Sequence, residues 1–233
     1  LVAYADMLEI DRWAIARFNE LVKERRRGYD EYEFHAIYHA ITNFCTTEMS
    51  KLYVDITKDR VYVENPTSKA RRSAQTAFYY IISALVKMIA PILAYTAEEI
   101  WQAMPHASTD DVTSVYLSEM PKAEGKFAFD GADRWEELFT LRDDVMKALE
   151  IARADKSIGK SLEASVAIYA KAGSEAMKLF REFESILPDI FIVSKVSLSD
   201  ENAPENAYFD ENERIVICYS QSLTKTMLSL PDK

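Results

Sequence analysis

The stretch Phe34-His35-Ala36-Ile37-Tyr38-His39-Ala40-Ile41-Thr42-Asn43-Phe44-Cys45, continued by Leu52 and Ile56, decides the fold. Its apolar members Phe34, Ile37, Tyr38, Ile41, Phe44, Cys45, Leu52 and Ile56 form one stripe, mostly in steps of three and four. That is the period of a helix with a single buried face, and it predicts a long helix that breaks near Val61 and Asn65-Pro66. The same period continues on both sides. Before it, residues 3–27 place Leu8, Trp13, Ile15, Phe18, Leu21 and Val22 at helical spacing, and the basic run Lys23–Arg27 suits the negative end of a helix dipole. Gly28 is expected to stop this helix. Asp30 is expected to cap the next one, with Glu33 as its partner in an approximate capping box. After it, a third helix is predicted from Ser68, with Ala74, Phe78, Ile81, Ile82, Leu85 and Ile89 on its buried face. A fourth is expected from Pro91, which is tolerated in a first turn, to Met104, with Pro105 as the stop. Trp13 and Trp101 are assigned to the core. Four helices with short connections imply an antiparallel bundle.

The second half changes character. Val115–Leu117 reads as a short extended stretch, and residues 118–131 carry Pro121, Gly125 and Gly131, a linker composition. A long helix fits 132–155, followed by the loop Lys156-Ser157-Ile158-Gly159-Lys160-Ser161. Val166, Ile168 and Tyr169 then alternate as in a strand, and residues 174–184 read as helix. Ile190–Leu198 and Arg214–Tyr219 are β-branched runs that read as strands. The expected fold class is mainly α: a helical bundle over residues 1–125, then a junction helix and a small α+β unit over 126–233.

Composition narrows the classes. Of 233 residues, 48% are hydrophobic and 28% charged, which excludes disorder, a collagen repeat or a disulfide scaffold as overall descriptions. With 5 Gly and 7 Pro, turn material is scarce and long helices are favoured. Cys45 and Cys218 form no CxxC pair, so two buried thiols in a reducing compartment are expected. No apolar run reaches membrane-spanning length, no signal peptide opens the chain, and Asn65-Pro66-Thr67 is disqualified as a sequon by its proline. A cytoplasmic protein with no membrane partner is expected. The chain opens at Leu1 and runs quickly into helical pattern, as a piece of a longer protein would.

The net charge of -10 argues against a general nucleic-acid binder. The charge is unevenly spread, however. Residues 1–72 hold 12 Lys/Arg and 12 Asp/Glu, whereas residues 199–213 hold six acids and no base. An acidic tail can coexist with a basic face elsewhere.

No catalytic constellation emerges from the residues. His35 and His39 have the i, i+4 spacing of a helical metal pair, but Ala36 stands where a zinc protease needs Glu, and no third ligand is evident. His106 follows a helix end and is expected in solvent. Gly159-Lys160-Ser161 resembles the end of a phosphate-binding loop, but Ala154 replaces the required Gly and the segment follows a helix instead of a strand. What remains is basic texture on helices. Arg71, Arg72 and Gln75 lie on an early turn of the third helix, and Lys51, Lys58 and Arg60 at the end of the second. Such groups either clamp phosphates while aromatic rings stack unpaired bases, or form an ordinary charged surface.

Several strings carry a specific resemblance. They are Tyr29-Asp30-Glu31-Tyr32-Glu33-Phe34-His35, Tyr38-His39-Ala40, Asn43-Phe44-Cys45-Thr46, Tyr53-Val54-Asp55-Ile56, Lys58-Asp59-Arg60 and Arg71-Arg72-Ser73-Ala74-Gln75-Thr76. Ala90-Pro91-Ile92-Leu93, Thr96-Ala97-Glu98-Glu99-Ile100-Trp101 and Ile158-Gly159-Lys160-Ser161-Leu162-Glu163-Ala164 continue the series, and Asp11-Arg12-Trp13 leads it. In this order, over about residues 4–198, they resemble the anticodon-binding region of the isoleucyl-tRNA synthetase family, in class I of the aminoacyl-tRNA synthetases. Valyl and leucyl relatives resemble it less, and a stand-alone helical interaction protein is the rival outside the family.

The resemblance implies a parent that joins isoleucine to its tRNA with ATP and Mg. The family's HIGH-like and KMSKS signatures and its editing domain are not in these residues, and Lys156–Ser161 is not a KMSKS loop. This piece is therefore expected to bind the anticodon stem-loop of isoleucine tRNA beside the parent's catalytic and editing domains, and not to catalyse. Arg71, Arg72, Gln75, Lys58 and Arg60 are expected near that stem-loop, Asn43 as a base reader, and Lys156 and Lys160 on phosphate. Many bacterial members carry a zinc segment with paired cysteines. The stretch Ser220–Lys233 has none, so neither a metal nor another cofactor is expected in this piece.

Overall fold

The structure is a computed structural model and describes residues 1–108, 110–202, 208–209 and 216–221. The chain forms two compact units, Leu1–Asp130 and Gly131–Lys233.

The first unit is a helical bundle. α1 (Glu9–Asp30) buries Trp13, Ile15, Phe18 and Val22. It runs past Gly28, so the expected stop there is corrected. A Cβ on Gly28 would lie 3.0 Å from the Ile37 side chain, and the glycine instead lets the next helix close on this one. The reversal falls at Tyr32, in the left-handed region at φ 58°, where Glu33 N donates to Gly28 O at 2.8 Å. Asp30 therefore ends α1 and caps nothing; α2 (Phe34–Asn43) starts from Glu33 without a side-chain cap.

Past Asn43 the helix widens into a π segment, Phe44–Val54, and narrows again as α3 (Asp55–Val63). The buried residues are Ile37, Ile41, Phe44, Met49, Tyr53, Ile56 and Thr57. The step of five from Phe44 to Met49 follows the i→i+5 geometry of a π turn. It rephases the helix and brings in Tyr53, which the expected stripe omits. Phe34, at the first position of α2, and Tyr38, one step round from Ile37, are exposed instead of buried.

Tyr53 completes the central polar contact of the bundle. Its hydroxyl donates to Asp11 Oδ1 at 2.7 Å, and Arg60 donates to the same oxygen at 3.0 Å. The Asp11 side chain is 0% exposed and that of Arg60 14%. Burial, then the charge of Asp11, pushes the Tyr53 phenol well above its ordinary pKa, so it remains a donor.

α4 (Lys69–Ile89) starts where the sequence predicts, and Ser68 caps it. Its buried apolar residues are Ala74, Ala77, Ile81, Val86 and Met88, whereas Phe78, Ile82, Leu85 and Ile89 are half-buried. Ser73 Oγ accepts from Leu8 N at 2.8 Å, which fastens the start of α1 to α4. α5 (Ala94–Ala103) begins three residues later than expected from Pro91. Pro91 lies instead in a turn where Ile89 O accepts from both Ile92 N and Leu93 N. Trp13 and Trp101 are both buried.

From Met104 to Phe127 the chain wraps the bundle with only two 3-10 turns among the described residues, one of them Val115–Leu117, read from sequence as extended. Side chains satisfy its backbone. Trp101 Nε1 donates to Asp111 O, Gln102 to Val112 O and Thr113 O, and Arg26 to Pro121 O. Asn19 both donates to and accepts from the backbone of Glu124. Glu98 accepts from Ser114 Oγ at 2.8 Å and Val115 N at 3.1 Å.

In the second unit, α6 (Ala132–Ala154) buries Trp135, Leu138, Leu141, Val145 and Leu149. A four-stranded sheet follows, in the order β2-β1-β4-β3. β1 (Ala164–Tyr169) pairs in parallel with β2 (Lys195–Ser199) and antiparallel with β4 (Val216–Gln221), which pairs with β3 (Tyr208–Phe209). α7 (Glu175–Glu182) and α8 (Leu187–Phe191) cross between β1 and β2. The expected strand at Ile190–Leu198 is corrected: its first residues end α8, which Pro188 opens, and Ile192 turns left-handed at φ 55° before the strand starts. The second strand run lies at Val216–Gln221; Arg214 and most of the acidic stretch fall outside the described residues.

Removing one partner of a buried ion pair costs about 3–5 kcal/mol. Asp11→Ala is accordingly expected to lower stability by about that amount in urea unfolding, and Asp11→Ala with Arg60→Met by less than the sum of the two single changes. Glu98 on α5 and Asp110 in the wrap make stability depend on pH. The Ser114 hydroxyl is the main cause that holds Glu98 below its ordinary pKa. Burial would raise Asp110, but the Ala107 amide, the Tyr79 hydroxyl and the Lys87 charge outweigh it, and the net shift is downward. Both contributions are complete above the unfolded carboxylate range and are lost as pH falls through the lower folded values. Stability is therefore expected to decline below about pH 4. The decline should be shallower in Glu98→Gln with Asp110→Asn, measured by urea unfolding across pH 3–6.

Candidate functional site

The corner between α3 and α4 is built from short polar side chains. Asn65 Oδ1 accepts from Thr67 N and Thr67 Oγ1, at 2.9 and 2.8 Å, an Asx turn. Ser68 N donates to Asn65 O, and Ser68 Oγ accepts from Arg71 N at 3.1 Å. The Ser68 hydroxyl also donates to the Glu64 carboxylate, and Arg71 donates to Glu64 O at 2.7 Å. Glu64 is thus engaged within the corner.

This corner sorts the expected residues. Arg71 is half-buried and holds the corner. Arg60 turns inward to Asp11. Lys58 is exposed but pairs with Asp55 at 2.7 Å. Arg72 is exposed, and it donates to Gln75 Oε1 at 3.2 Å, so these two are brought together on the outer face of α4. Asn43 ends α2 in solvent, with Oδ1 accepting from Thr47 Oγ1 at 3.3 Å. Lys156 and Lys160 belong to the second unit. Lys156 stands exposed at φ 65° just past α6, and Lys160 stands exposed before the 3-10 turn Ser161–Glu163.

Sequence reading passed over two residues at the corner. Lys69, the first residue of α4, is exposed, and no carboxylate pairs with it or with Arg72 among the described residues. Tyr62, at the end of α3, is exposed as well. The signal for Lys69 was available: residues 65–97 contain no Asp or Glu but hold Lys69, Arg71, Arg72 and Lys87. These cations begin at the N-terminus of a 21-residue helix, where the backbone dipole adds positive potential. A cavity of about 490 Å³ opens beside Arg72 and Gln75, lined also by Tyr79 and His106.

His106 is not in solvent as expected. Its ring packs on Trp101, centroids 4.5 Å apart, and Nε2 lies 2.8 Å from Trp101 O. Cys45 is half-buried, and burial raises its thiol pKa. His35 and His39 are exposed, and among the described residues no three His, Cys, Asp or Glu are grouped to hold a metal ion.

Residues 11–168, from the buried Asp11 to β1, match the family described as the anticodon-binding domain of tRNA ligase, and the chain belongs to that family. It is homologous to isoleucine–tRNA ligases. It is 45% identical to the one from Caldanaerobacter subterraneus subsp. tengcongensis over 95% of this chain and 24% of that protein. With the Geobacillus kaustophilus enzyme the identity is 42%, over 92% of this chain and 23% of that protein. With isoleucine–tRNA ligase 1 of Bacillus cereus strain ZK / E33L it is 39%, over 96% and 24%. The chain spans about a quarter of the length of these relatives.

Ser68 is the residue on which the corner turns. Ser68→Ala is expected to cost about 1 kcal/mol, the usual loss for an N-cap. Hydrogen exchange at the Arg71 amide should quicken, while the amides of the Val86–Met88 turn stay protected.

Proposed function

We propose that this chain is the anticodon-binding portion of an isoleucine–tRNA ligase and that it grips the anticodon stem-loop of isoleucine tRNA. The observation that carries the reading is the acid-free stretch 65–97, which opens with exposed Lys69 and Arg72 on a helix N-terminus, inside a chain of net charge -10. A polyanion would meet that edge in preference to the rest of the surface. Phosphate contacts set register, and unpaired loop bases supply identity.

In this reading Lys69 and Arg72 contact phosphate, with Gln75 steering the Arg72 guanidinium and Lys58 adding charge one helix away. Arg60 and Arg71 act as positioning residues: one holds α3 to α1, the other shapes the corner. Asn43 offers its side-chain amide to a base, and Lys156 and Lys160 supply phosphate contacts from the second unit. Isoleucine activation and transfer, with ATP and Mg, belong to other parts of the longer protein, and no residue here has a catalytic role. The catalytic and editing domains are then partners within one polypeptide.

The test is binding of isoleucine tRNA across a salt series. Arg72→Ala and Lys69→Ala are each expected to weaken binding and to lower the slope of log K against log[salt] by roughly 0.7–0.9 per phosphate contact removed. An anticodon-swapped transcript should bind more weakly than the native one. Unchanged affinity and slope in both variants would remove this edge from the interface.

A further inference from the structure

Three tyrosines are the most exposed aromatic side chains among the described residues: Tyr95 at 90%, Tyr62 at 83% and Tyr32 at 79%. Their surroundings differ in sign. Tyr95 shares a shallow depression with Glu98 and Glu99. Tyr32 lies between Glu31 and Glu33 and meets the Phe34 ring edge-on, centroids 6.1 Å apart. Tyr62 has no ring contact and no hydrogen bond among the described residues. It follows Lys58 by one helical turn and leads directly into the corner whose far side carries Lys69 and Arg72. The carboxylate next along the chain, Glu64, is engaged by Ser68, and Asp59 lies one turn back. Val63, the next residue, is also exposed.

A ring so exposed does nothing for the core, and its faces are open to a flat apolar partner. A base in a splayed loop is such a partner, and every base has a face to stack. The neighbouring cations supply the other half of single-strand recognition, a grip on the backbone that brings the base to the ring. A protein partner matches this edge less well, because its exposed flat aromatic surface is a single ring. Tyr95, bordered by carboxylates, would repel a phosphate backbone.

We propose that Tyr62 is a stacking platform for an unpaired base of the tRNA whose phosphates Lys69 and Arg72 hold. The proposal rests on the tRNA-binding reading above and adds to it the contact that engages a loop base. Tyr62 therefore acts through its ring face and not through charge or its hydroxyl.

The experiment uses full-length isoleucine–tRNA ligase carrying this segment, with unmodified isoleucine tRNA as the probe. Tyr62→Ala is expected to raise the KM for tRNA about 5-fold or more. The salt slope should stay the same, since no phosphate contact is lost. Tyr62→Phe and Tyr62→Trp should restore the KM, and Tyr62→Leu should not. An unchanged KM in Tyr62→Ala, or full rescue by leucine, would overturn the proposal. So would an equal loss of isoleucine-dependent ATP–pyrophosphate exchange, which needs no tRNA and would mark damage to the enzyme at large. The two readings fail separately. If Arg72→Ala and Lys69→Ala weaken binding but Tyr62→Ala does not, only the stacking role falls. If none of the three weakens it, the edge itself is not the tRNA surface and both fall.

Discussion

The bundle depends on one buried carboxylate. Asp11 on α1 is sealed from solvent, and it is compensated from two directions, by the Tyr53 hydroxyl from the π segment and by Arg60 from α3. A lone charge in that position would be strongly unfavourable, so the fold is tolerable only when three segments arrive in register. The π segment is part of that condition. With ordinary helical phase from Phe44 onward, the positions that face the core would be those of the predicted stripe, and Tyr53 would not be among them. One extra residue of winding turns Tyr53 inward. The contact thus fixes the rotation of α3, and through it the direction in which the α3–α4 corner leaves the bundle.

The same logic of local satisfaction governs the parts without regular structure. The wrap from Met104 to Phe127 has almost no ladder of its own, and a connection of that length inside a compact unit needs other partners for its backbone. Trp101, Gln102, Glu98, Asn19 and Arg26 provide them from helices already in place. The α3–α4 corner uses shorter links, with Asn65 closing on Thr67 and with Ser68 and Arg71 closing on Glu64. The consequence is functional as well as structural. With Arg71 turned to the corner, the exposed cations there with no carboxylate partner among the described residues are Lys69 and Arg72, held on a helix end.

The architecture was legible in the sequence because helical periodicity is local. α4 starts at the predicted Ser68, α6 spans the predicted stretch, and alternation at Val166 and Ile168 marks β1. The misreadings share a physical cause. Gly28, Pro91 and the run from Ile190 to Val193 were read by propensity, and tertiary context overrode each. Gly28 serves a close helix approach, Pro91 sits in a turn closed by Ile89 O, and the β-branched run ends a short helix at a left-handed Ile192. Site residues were less legible still. Arg60 and Arg71 are indistinguishable from Arg72 in sequence, and only the positions of Asp11 and Glu64 separate inward from outward guanidinium groups. The absence of acids over residues 65–97 was readable, but what it surrounds was not, because Tyr62 carries no periodic signal once it lies off the buried face.

A chain of net charge -10 that is proposed to hold a polyanion poses a question of scale. Fixed charges act over about 8 Å at physiological ionic strength, so acids farther away than that contribute little at a given edge. The effective quantity is the local balance, and at the start of α4 it is Lys69, Arg71 and Arg72 with Glu64 as the adjoining acid. The global excess then has its own effect. It weakens attachment to nucleic acid through every other part of the surface, since nonspecific binding scales with the phosphates neutralised. An acidic body with one basic, aromatic edge therefore favours a ligand that presents phosphate and an unstacked base together, and disfavours uniform duplex. For a domain whose proposed ligand is a loop at the end of a stem, the overall negative charge sharpens selection and does not contradict it.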